Sequence, residues 1–261
     1  MNNMTEIWNR RLMGTERDVS VQAIPSIRYA ILSVPRSGST LVARGLEATS
    51  ELGVPLEYFN PNAIEAWRYL GRYDSVHLEE YLDDIERRRT ANSGFFGIKV
   101  HYRHFEHHFG AEAFKRAISF VERQDYCILT TRKDQISQVV SYFRARRSGL
   151  WSSEHEDLLE GHSVPPINFD AKAILECLDE VVCGESMWRQ VLEVTQKQYL
   201  EISYEDLTHD YDGQMKSIFG YLHRPELPVP APQIRRLSGR VDDDLESQFR
   251  QVLHDLASGS L

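Results

Sequence analysis

The chain has 261 residues, 41% of them hydrophobic and 26% charged, which is the composition of a soluble globular protein with one sizeable domain. Its formal net charge of −9 disfavours nucleic acid as a partner, so an anionic ligand needs a local basic pocket. Three scattered cysteines are too few for a disulfide framework or a zinc ribbon. The polar N-terminus has no secretory signal, and no apolar run has the roughly 20 residues of a membrane span, so we expect a cytoplasmic protein.

The predicted elements alternate between strands and helices within one domain, residues 1–261. The chain begins with an N-terminal arm, residues 1–26, which we expect to be loose. Apolar runs of strand length cover residues 29–33, 95–100, 126–131 and 199–203. Helical patterns begin at Thr40 and at Tyr204 and cover residues 62–91, 111–123, 134–147, 170–198 and 243–256. This alternation predicts an α/β fold in which a P-loop-type parallel sheet is flanked by helices on both faces.

Residues 35–40 have the composition of an anion-binding turn between a strand and a helix. Backbone N–H groups and the positive end of the helix dipole point at such a turn. Gly38 allows an anion to approach closely, and Arg36 adds a charge that can bond two oxygens. Hydroxyl donors come from Ser37, Ser39 and Thr40. A strand–helix turn with a purely structural role would have the same pattern.

Ser39 distinguishes this turn from the loop of nucleotide triphosphatases. Those proteins carry GxxxxGK[ST], in which the lysine reaches the β- and γ-phosphates. Ser39 stands at the lysine position here, and Ser33 stands at the position of the first glycine. The sequence therefore disfavours ATP hydrolysis, and a P-loop kinase acting on a small molecule is the second hypothesis.

The turn is part of a longer pattern that resembles a known family. PRSGSTL at residues 35–41 and GVPLEYF at residues 53–59 are similar to the QRSGSTLL loop and the GEPQEFF segment of the bacterial trehalose 2-sulfotransferase family. Further similarities follow in order: Lys99 in a GxK strand, Arg132 before a helix, YEDL at residues 204–207 and RLS at residues 236–238. The resemblance implies a homodimeric enzyme that moves a sulfuryl group from 3′-phosphoadenosine 5′-phosphosulfate (PAPS) to a hydroxyl and leaves 3′-phosphoadenosine 5′-phosphate (PAP).

The implied acceptor is a small molecule, a sugar or a glycosylated metabolite, and two departures leave its identity open. Pro35 replaces the family's trehalose-binding glutamine, and Val54-Pro55 replaces a Glu-Pro pair. We expect acceptor-site or dimer contacts within residues 60–93 and 148–170. The candidate acceptor-site residues are Pro35, Glu57, Tyr58, Phe59, Trp67 and His101. For Trp67, which could stack on a sugar ring, core packing is the alternative.

A PAPS enzyme also needs a second anion site, because the donor carries a 3′-phosphate. Arg132 follows a strand and can make a bidentate contact with a phosphate. Ser137 and Ser141 share a helix face, so either could add a hydroxyl, and both could instead pack against the sheet. The spacing between this arginine and serine in sulfotransferases generally favours Ser141. Arg236, in the C-terminal tail, is a candidate for closing over the nucleotide, with a solvated arginine as the alternative.

Two residues are candidates for the general base. Glu57 matches the proposed catalytic glutamate of the resembled family, whereas His101 lies in a Lys-x-His segment similar to that of the eukaryotic cytosolic sulfotransferases. Lys99 is a candidate for stabilising the leaving phosphate, as is Arg36. We expect burial beside Tyr58 and Phe59 to raise the pKa of Glu57.

The histidines at positions 101, 104, 107 and 108 do not have the spacing of a metal site, so we predict no metal. Sulfuryl transfer needs none. A third hypothesis is a non-catalytic PAPS-binding protein, against which Glu57 and His101 argue.

Overall fold

Four parallel strands form one sheet, which confirms the predicted α/β fold. The computed structural model describes residues 12–19, 24–70, 77–154, 167–235 and 240–258. The strands of the described residues are β1 (Ile27–Ser33), β2 (Phe95–His101), β3 (Tyr126–Thr131) and β4 (Tyr199–Ser203), in the spatial order β2-β1-β3-β4. All pairs are parallel, so the carboxyl ends of the strands lie at one edge.

Helices connect the strands and cover the sheet. They are α1 (Ser39–Glu47), α2 (Pro61–Tyr69), α3 (Leu78–Arg89), α4 (Tyr102–Phe109), α5 (Ala113–Glu122), α6 (Gln135–Ser148), α7 (Ala171–Thr195), α8 (Tyr204–His209), α9 (Tyr211–Tyr221) and α10 (Arg240–Ser258). Within the described residues, no helix combines the length and apolar composition needed to span a bilayer.

The central strand β1 shows how the two faces of the sheet are filled. Ala30 and Leu32 belong to one buried cluster, which includes residues of α5 and α7. Tyr29 and Ile31 point to the opposite face and pack with residues of α1 and α9. Alternate strand residues face opposite sides of a sheet, so helices on both faces bury β1 from Tyr29 to Ser33.

The N-terminal arm is packed where it is described. Met13 is fully buried in the core, although a loose arm was expected. The cause lies in α3: the buried guanidinium of Arg89 donates to the Gly14 carbonyl at 3.0 Å and lies 3.3 Å from the Asp18 carboxylate. This ion pair attaches residues 13–18 to the domain.

Helix α4 was not predicted, and the single pattern over residues 62–91 corresponds to two helices, α2 and α3. The sequence did not indicate α4 because this segment is polar and rich in histidine. Its apolar face consists of Tyr102 and Phe105. Because α4 begins directly after β2, His104 lies beside the last residue of that strand, and the His101 N–H donates to His104 Nδ1 at 3.5 Å.

Candidate active site

A cavity of about 920 Å³ lies at the edge where the strands end. Crevices at the carboxyl ends of parallel strands are the usual ligand sites of such sheets. Residues from distant parts of the chain line it: Met13, Pro35, Arg36, Ser39, Thr40, Glu57, Asn60, Lys99, His101, His104, Arg132, Ser137, Ser141, Tyr204 and Arg235. The cavity therefore brings the predicted anion turn, both candidate bases and the second predicted anion site together.

The turn between β1 and α1, residues 34–38, is called the anion loop below. Gly38 has a φ of 86°, and a Cβ atom there would lie 2.9 Å from the Tyr204 ring. Glycine is thus required by both backbone conformation and space. Arg36 also has a positive φ, 64°. At the start of α1 this loop presents a helix N-terminus to the cavity, which favours an anion.

The hydroxyl of Ser37 does not have the predicted role of a donor to a bound anion. It donates to the Val34 carbonyl at 2.9 Å and lies 2.9 Å from the Thr130 hydroxyl, and the residue is 1% exposed. Ser37 therefore holds the anion loop to β3, and its hydroxyl is not a donor toward the cavity. Ser39 and Thr40 do line the cavity.

Arg36 connects the anion loop to α6 and the segment that follows it. Its Nε donates to the Ser141 hydroxyl at 2.9 Å, and its Nη1 donates to the Trp151 carbonyl. One guanidinium thus lies between the two predicted anion sites, within reach of either.

The second predicted anion site lies at the end of β3. The Arg132 guanidinium stacks 4.7 Å from the centre of the Tyr204 ring, and its Nε is 3.8 Å from the Glu205 carboxylate. Ser137 donates its hydroxyl to Asp134, the N-cap of its own helix, at 2.8 Å. Ser141 instead accepts from Arg36. Since the Ser137 hydroxyl is engaged in capping, the geometry favours Ser141 as a ligand-binding hydroxyl.

Glu57 reaches the cavity because the chain returns along the outer edge of the sheet. Leu56 forms a parallel bridge with Ile98 of β2, and the Lys99 N–H donates to the Leu56 carbonyl at 2.9 Å. This short pairing places Glu57 beside the end of β2. Such a short backbone pairing leaves no recognisable pattern in the sequence, so the sequence could not predict it.

Four residues form what we call the Glu57 cluster: Glu57, Asn60, Lys99 and His101. Glu57 Oε1 lies 2.9 Å from Lys99 Nζ and 3.2 Å from His101 Nε2. Asn60 Nδ2 donates to Oε2 at 3.0 Å. Glu57 and His101, the two candidate bases, are therefore in contact with each other. Sequence reasoning missed Asn60, although an Asn before a proline at the first helical position is a recognisable N-cap.

The pKa of Glu57 is shifted in the direction opposite to the expected one. Burial raises it, but the positive charge of Lys99 and contacts with His101 and His104 together hold the pKa well below its ordinary value. Glu57 is therefore a carboxylate across the neutral range. Burial lowers the pKa of His104 well below its usual value.

Lys99 connects the Glu57 cluster to α1. Its ammonium donates to Thr40 Oγ1 at 2.8 Å and lies 2.9 Å from Glu57. The side chain is 7% exposed, so its charge acts in a poorly solvated place. A group bound at the anion loop would meet this ammonium directly.

Three predicted acceptor-site residues lie in the core instead. Tyr58 and Trp67 are fully buried and Phe59 is 4% exposed, and the cavity is not lined by any of them. Tyr58 donates its hydroxyl to the Val54 carbonyl, and Trp67 packs edge-on against Tyr81. The aromatic residues of this segment therefore pack in the core, whereas its polar residues Glu57 and Asn60 line the cavity. Arg236 lies outside the described residues.

Comparison with known proteins gives a consistent result. Residues 28–252 match the model of the Stf0 sulphotransferase family. The chain is similar to the trehalose 2-sulfotransferase of Mycobacterium tuberculosis (strain ATCC 35801 / TMC 107 / Erdman), with 22% identity over 259 residues, 85% of this chain and 94% of the relative. It is 20% identical over 255 residues to the trehalose 2-sulfotransferase of Mycolicibacterium smegmatis (strain ATCC 700084 / mc(2)155), with the same coverage.

Proposed function

The chain belongs to the Stf0 sulphotransferase family, and we propose that it transfers a sulfuryl group from PAPS to a hydroxyl of a sugar-containing acceptor. The observation that carries the proposal is the connection from Thr40 through Lys99 to Glu57, with distances of 2.8 and 2.9 Å. It joins a helix N-terminus suited to an anion with a carboxylate suited to a hydroxyl.

The donor fits the two anion sites. The anion loop and Arg36 would hold the 5′-phosphosulfate, because a helix N-terminus and a guanidinium both bind its oxygens. Arg132 and Ser141 would hold the 3′-phosphate, which a triphosphate donor lacks. Ser39 supports PAPS over ATP as well, since it occupies the position of the lysine that ATP-binding loops use.

The reaction follows from the positions of the charged groups. The acceptor oxygen forms a bond to sulfur while the bond from sulfur to the bridging oxygen breaks, and PAP leaves with the electron pair. Lys99 and Arg36 stabilise the negative charge that develops on the departing phosphate. Glu57 accepts the proton of the attacking hydroxyl, because it is the anionic group that lines the cavity beside Lys99.

The acceptor proposal rests on the relatives and on the polar wall of the cavity. Both relatives are named for trehalose, a sugar. Asn60 and Asn62 line the cavity beside Glu57, and amide groups bond sugar hydroxyls. Pro35 also lines the cavity, so its replacement of the family's glutamine removes a polar group there. Trehalose is therefore a probe in the test rather than the assumed acceptor. The homodimer is likewise a proposal from the resemblance.

The test measures donor binding and transfer separately. Calorimetry should show PAP binding far more tightly than ATP with magnesium. Incubation with ³⁵S-labelled PAPS, trehalose and a panel of mono- and disaccharides should transfer label to at least one sugar. Binding of PAP without transfer to any sugar or glycoside would favour a non-catalytic PAPS-binding protein, and preference for ATP would favour a kinase.

A further inference from the structure

We propose that Ser33 is a positioning residue for this transfer, because its hydroxyl holds the His101 ring with Nε2 beside Glu57. The inference rests on the proposed function, since it deepens the role of the Glu57 cluster. Ser33 and His101 are register partners at the ends of β1 and β2, so the backbone holds them side by side. Both are buried, with 1% and 8% exposure.

Both ring nitrogens of His101 have partners. Nε2 lies 3.2 Å from Glu57 Oε1, and Nδ1 lies 2.9 Å from Ser33 Oγ. Nε2 is therefore occupied by Glu57. A ring held in this way is suited to orienting the carboxylate, whereas an acceptor hydroxyl would approach Glu57 itself.

The negative charge of Glu57 decides which nitrogen carries hydrogen. A carboxylate beside Nε2 is favourable when Nε2 is protonated and repulsive when it presents a lone pair. In a neutral imidazole the other nitrogen is then an acceptor. Ser33 consequently donates its hydroxyl hydrogen to Nδ1, and Nε2–H donates to Glu57.

A second partner of the Ser33 hydroxyl makes the arrangement tolerant of protonation. The Val100 carbonyl lies 3.2 Å from Ser33 Oγ. If His101 gains a proton, Nδ1–H donates to Ser33, and the hydroxyl turns to the Val100 carbonyl. Nε2–H donates to Glu57 in both states, so a serine hydroxyl supports the same orientation of Glu57 throughout.

The consequence for catalysis is the orientation of the carboxylate. His101 and Lys99 hold Oε1, and Asn60 bonds Oε2. Oε2 thus has one hydrogen-bond donor, with the His104 ring nitrogen 3.9 Å away, and is the oxygen that we assign to the acceptor hydroxyl. Without the Ser33 hydroxyl, Nδ1 loses this hydrogen bond, the ring is held less firmly, and Oε1 loses a fixed donor.

The first test is spectroscopic and needs no acceptor. ¹⁵N NMR of histidine-labelled protein distinguishes the two tautomers, and His101→Gln identifies the His101 signals. Wild type should show the Nε2–H form with the Nδ1 shift of a hydrogen-bonded acceptor, and in Ser33→Ala the Nδ1 shift should move to that of an acceptor without a donor. A wild-type Nδ1–H form, or a Ser33→Ala spectrum identical to wild type, would overturn the proposal even if PAPS-dependent transfer is established.

The second test is kinetic, with labelled PAPS and the sugar accepted in the screen. Ser33→Ala should lower kcat on the order of 10-fold, the effect of one lost hydrogen bond, while PAP affinity stays the same. Ser33→Thr keeps the hydroxyl and should recover kcat. The matched control is Thr195→Val, because the Thr195 hydroxyl bonds the Val191 carbonyl at the end of α7. Equal loss in Ser33→Thr and Ser33→Ala would indicate packing instead.

A pair of His101 variants keeps the test decisive if Ser33→Ala does not fold. The amide of His101→Gln can still donate to Glu57, and His101→Leu cannot. We expect the glutamine variant to retain more kcat than the leucine variant, with equal PAP affinity. Complete inactivity of both would make His101 the base and contradict a positioning role.

Discussion

The two sides of the cavity are built in different ways. The anion loop and the start of α1 are consecutive in sequence, from Val34 to Thr40, and a tight turn orients them. The Glu57 cluster is assembled from β2, the N-cap of α2 and a segment that bridges the sheet edge at Ile98. The conformation of a contiguous turn is determined mainly by its own residues. A cluster from separate segments depends on packing, so small changes there should alter chemistry before they alter binding.

The largest expected effect tests the contiguous side. Arg36→Ala removes the guanidinium proposed to bind the phosphosulfate and should lower kcat/KM on the order of 10²-fold or more. The measurement is labelled transfer together with circular dichroism to confirm folding. Near wild-type turnover in the folded variant would exclude the anion loop as the phosphosulfate site.

Glu57→Gln tests the assembled side. The amide cannot take the acceptor proton, so kcat should fall on the order of 10²-fold. PAP affinity, measured by calorimetry, should be unchanged because the anion loop is intact. A nearly normal kcat would move the base to another residue, and a parallel loss of PAP affinity would show that Glu57 acts on donor binding.

These two sites also show what the sequence predicts and what it does not. The turn composition predicted a tight turn between a strand and a helix at residues 34–38, and apolar runs predicted β3 and β4 to the residue. The sequence could not place Trp67, because an aromatic residue after a binding segment suits core and cavity equally. Nor could it give the direction of the Glu57 pKa shift, which depends on Lys99 lying 2.9 Å away.

A smaller effect is expected at the second anion site. Arg132→Ala should weaken PAP binding about 10-fold, as expected for the loss of a charge-assisted contact. Adenosine 5′-phosphosulfate lacks the 3′-phosphate, so its affinity should change little. Calorimetry with both ligands provides the comparison, and equal weakening of the two would assign Arg132 to another part of the nucleotide.

The pH dependence of kcat examines the electrostatics of the Glu57 cluster. Because the Glu57 pKa is well below its ordinary value, activity should persist on acidification until the carboxylate takes a proton. Lys99→Gln removes the nearest positive charge, which raises the carboxylate pKa. The acid limb of its normalised profile should therefore move to higher pH. An acid limb at the same pH in both proteins would mean that another group controls it.

The smallest effect is expected at Trp67, where the sequence suggested sugar stacking and the structure gives core packing. Its ring is fully buried, packs edge-on against Tyr81 and lies near the guanidinium groups of Arg88 and Arg89. Trp67→Phe should lower Tm, because a smaller ring leaves unfilled space beside Tyr81. The acceptor KM and kcat should stay at wild-type values below the new Tm. Asn60→Ala is the contrasting variant, since Asn60 contacts Glu57 in the cavity and its loss should change the kinetics. A raised acceptor KM in Trp67→Phe, with kcat intact, would place the acceptor site at α2 after all.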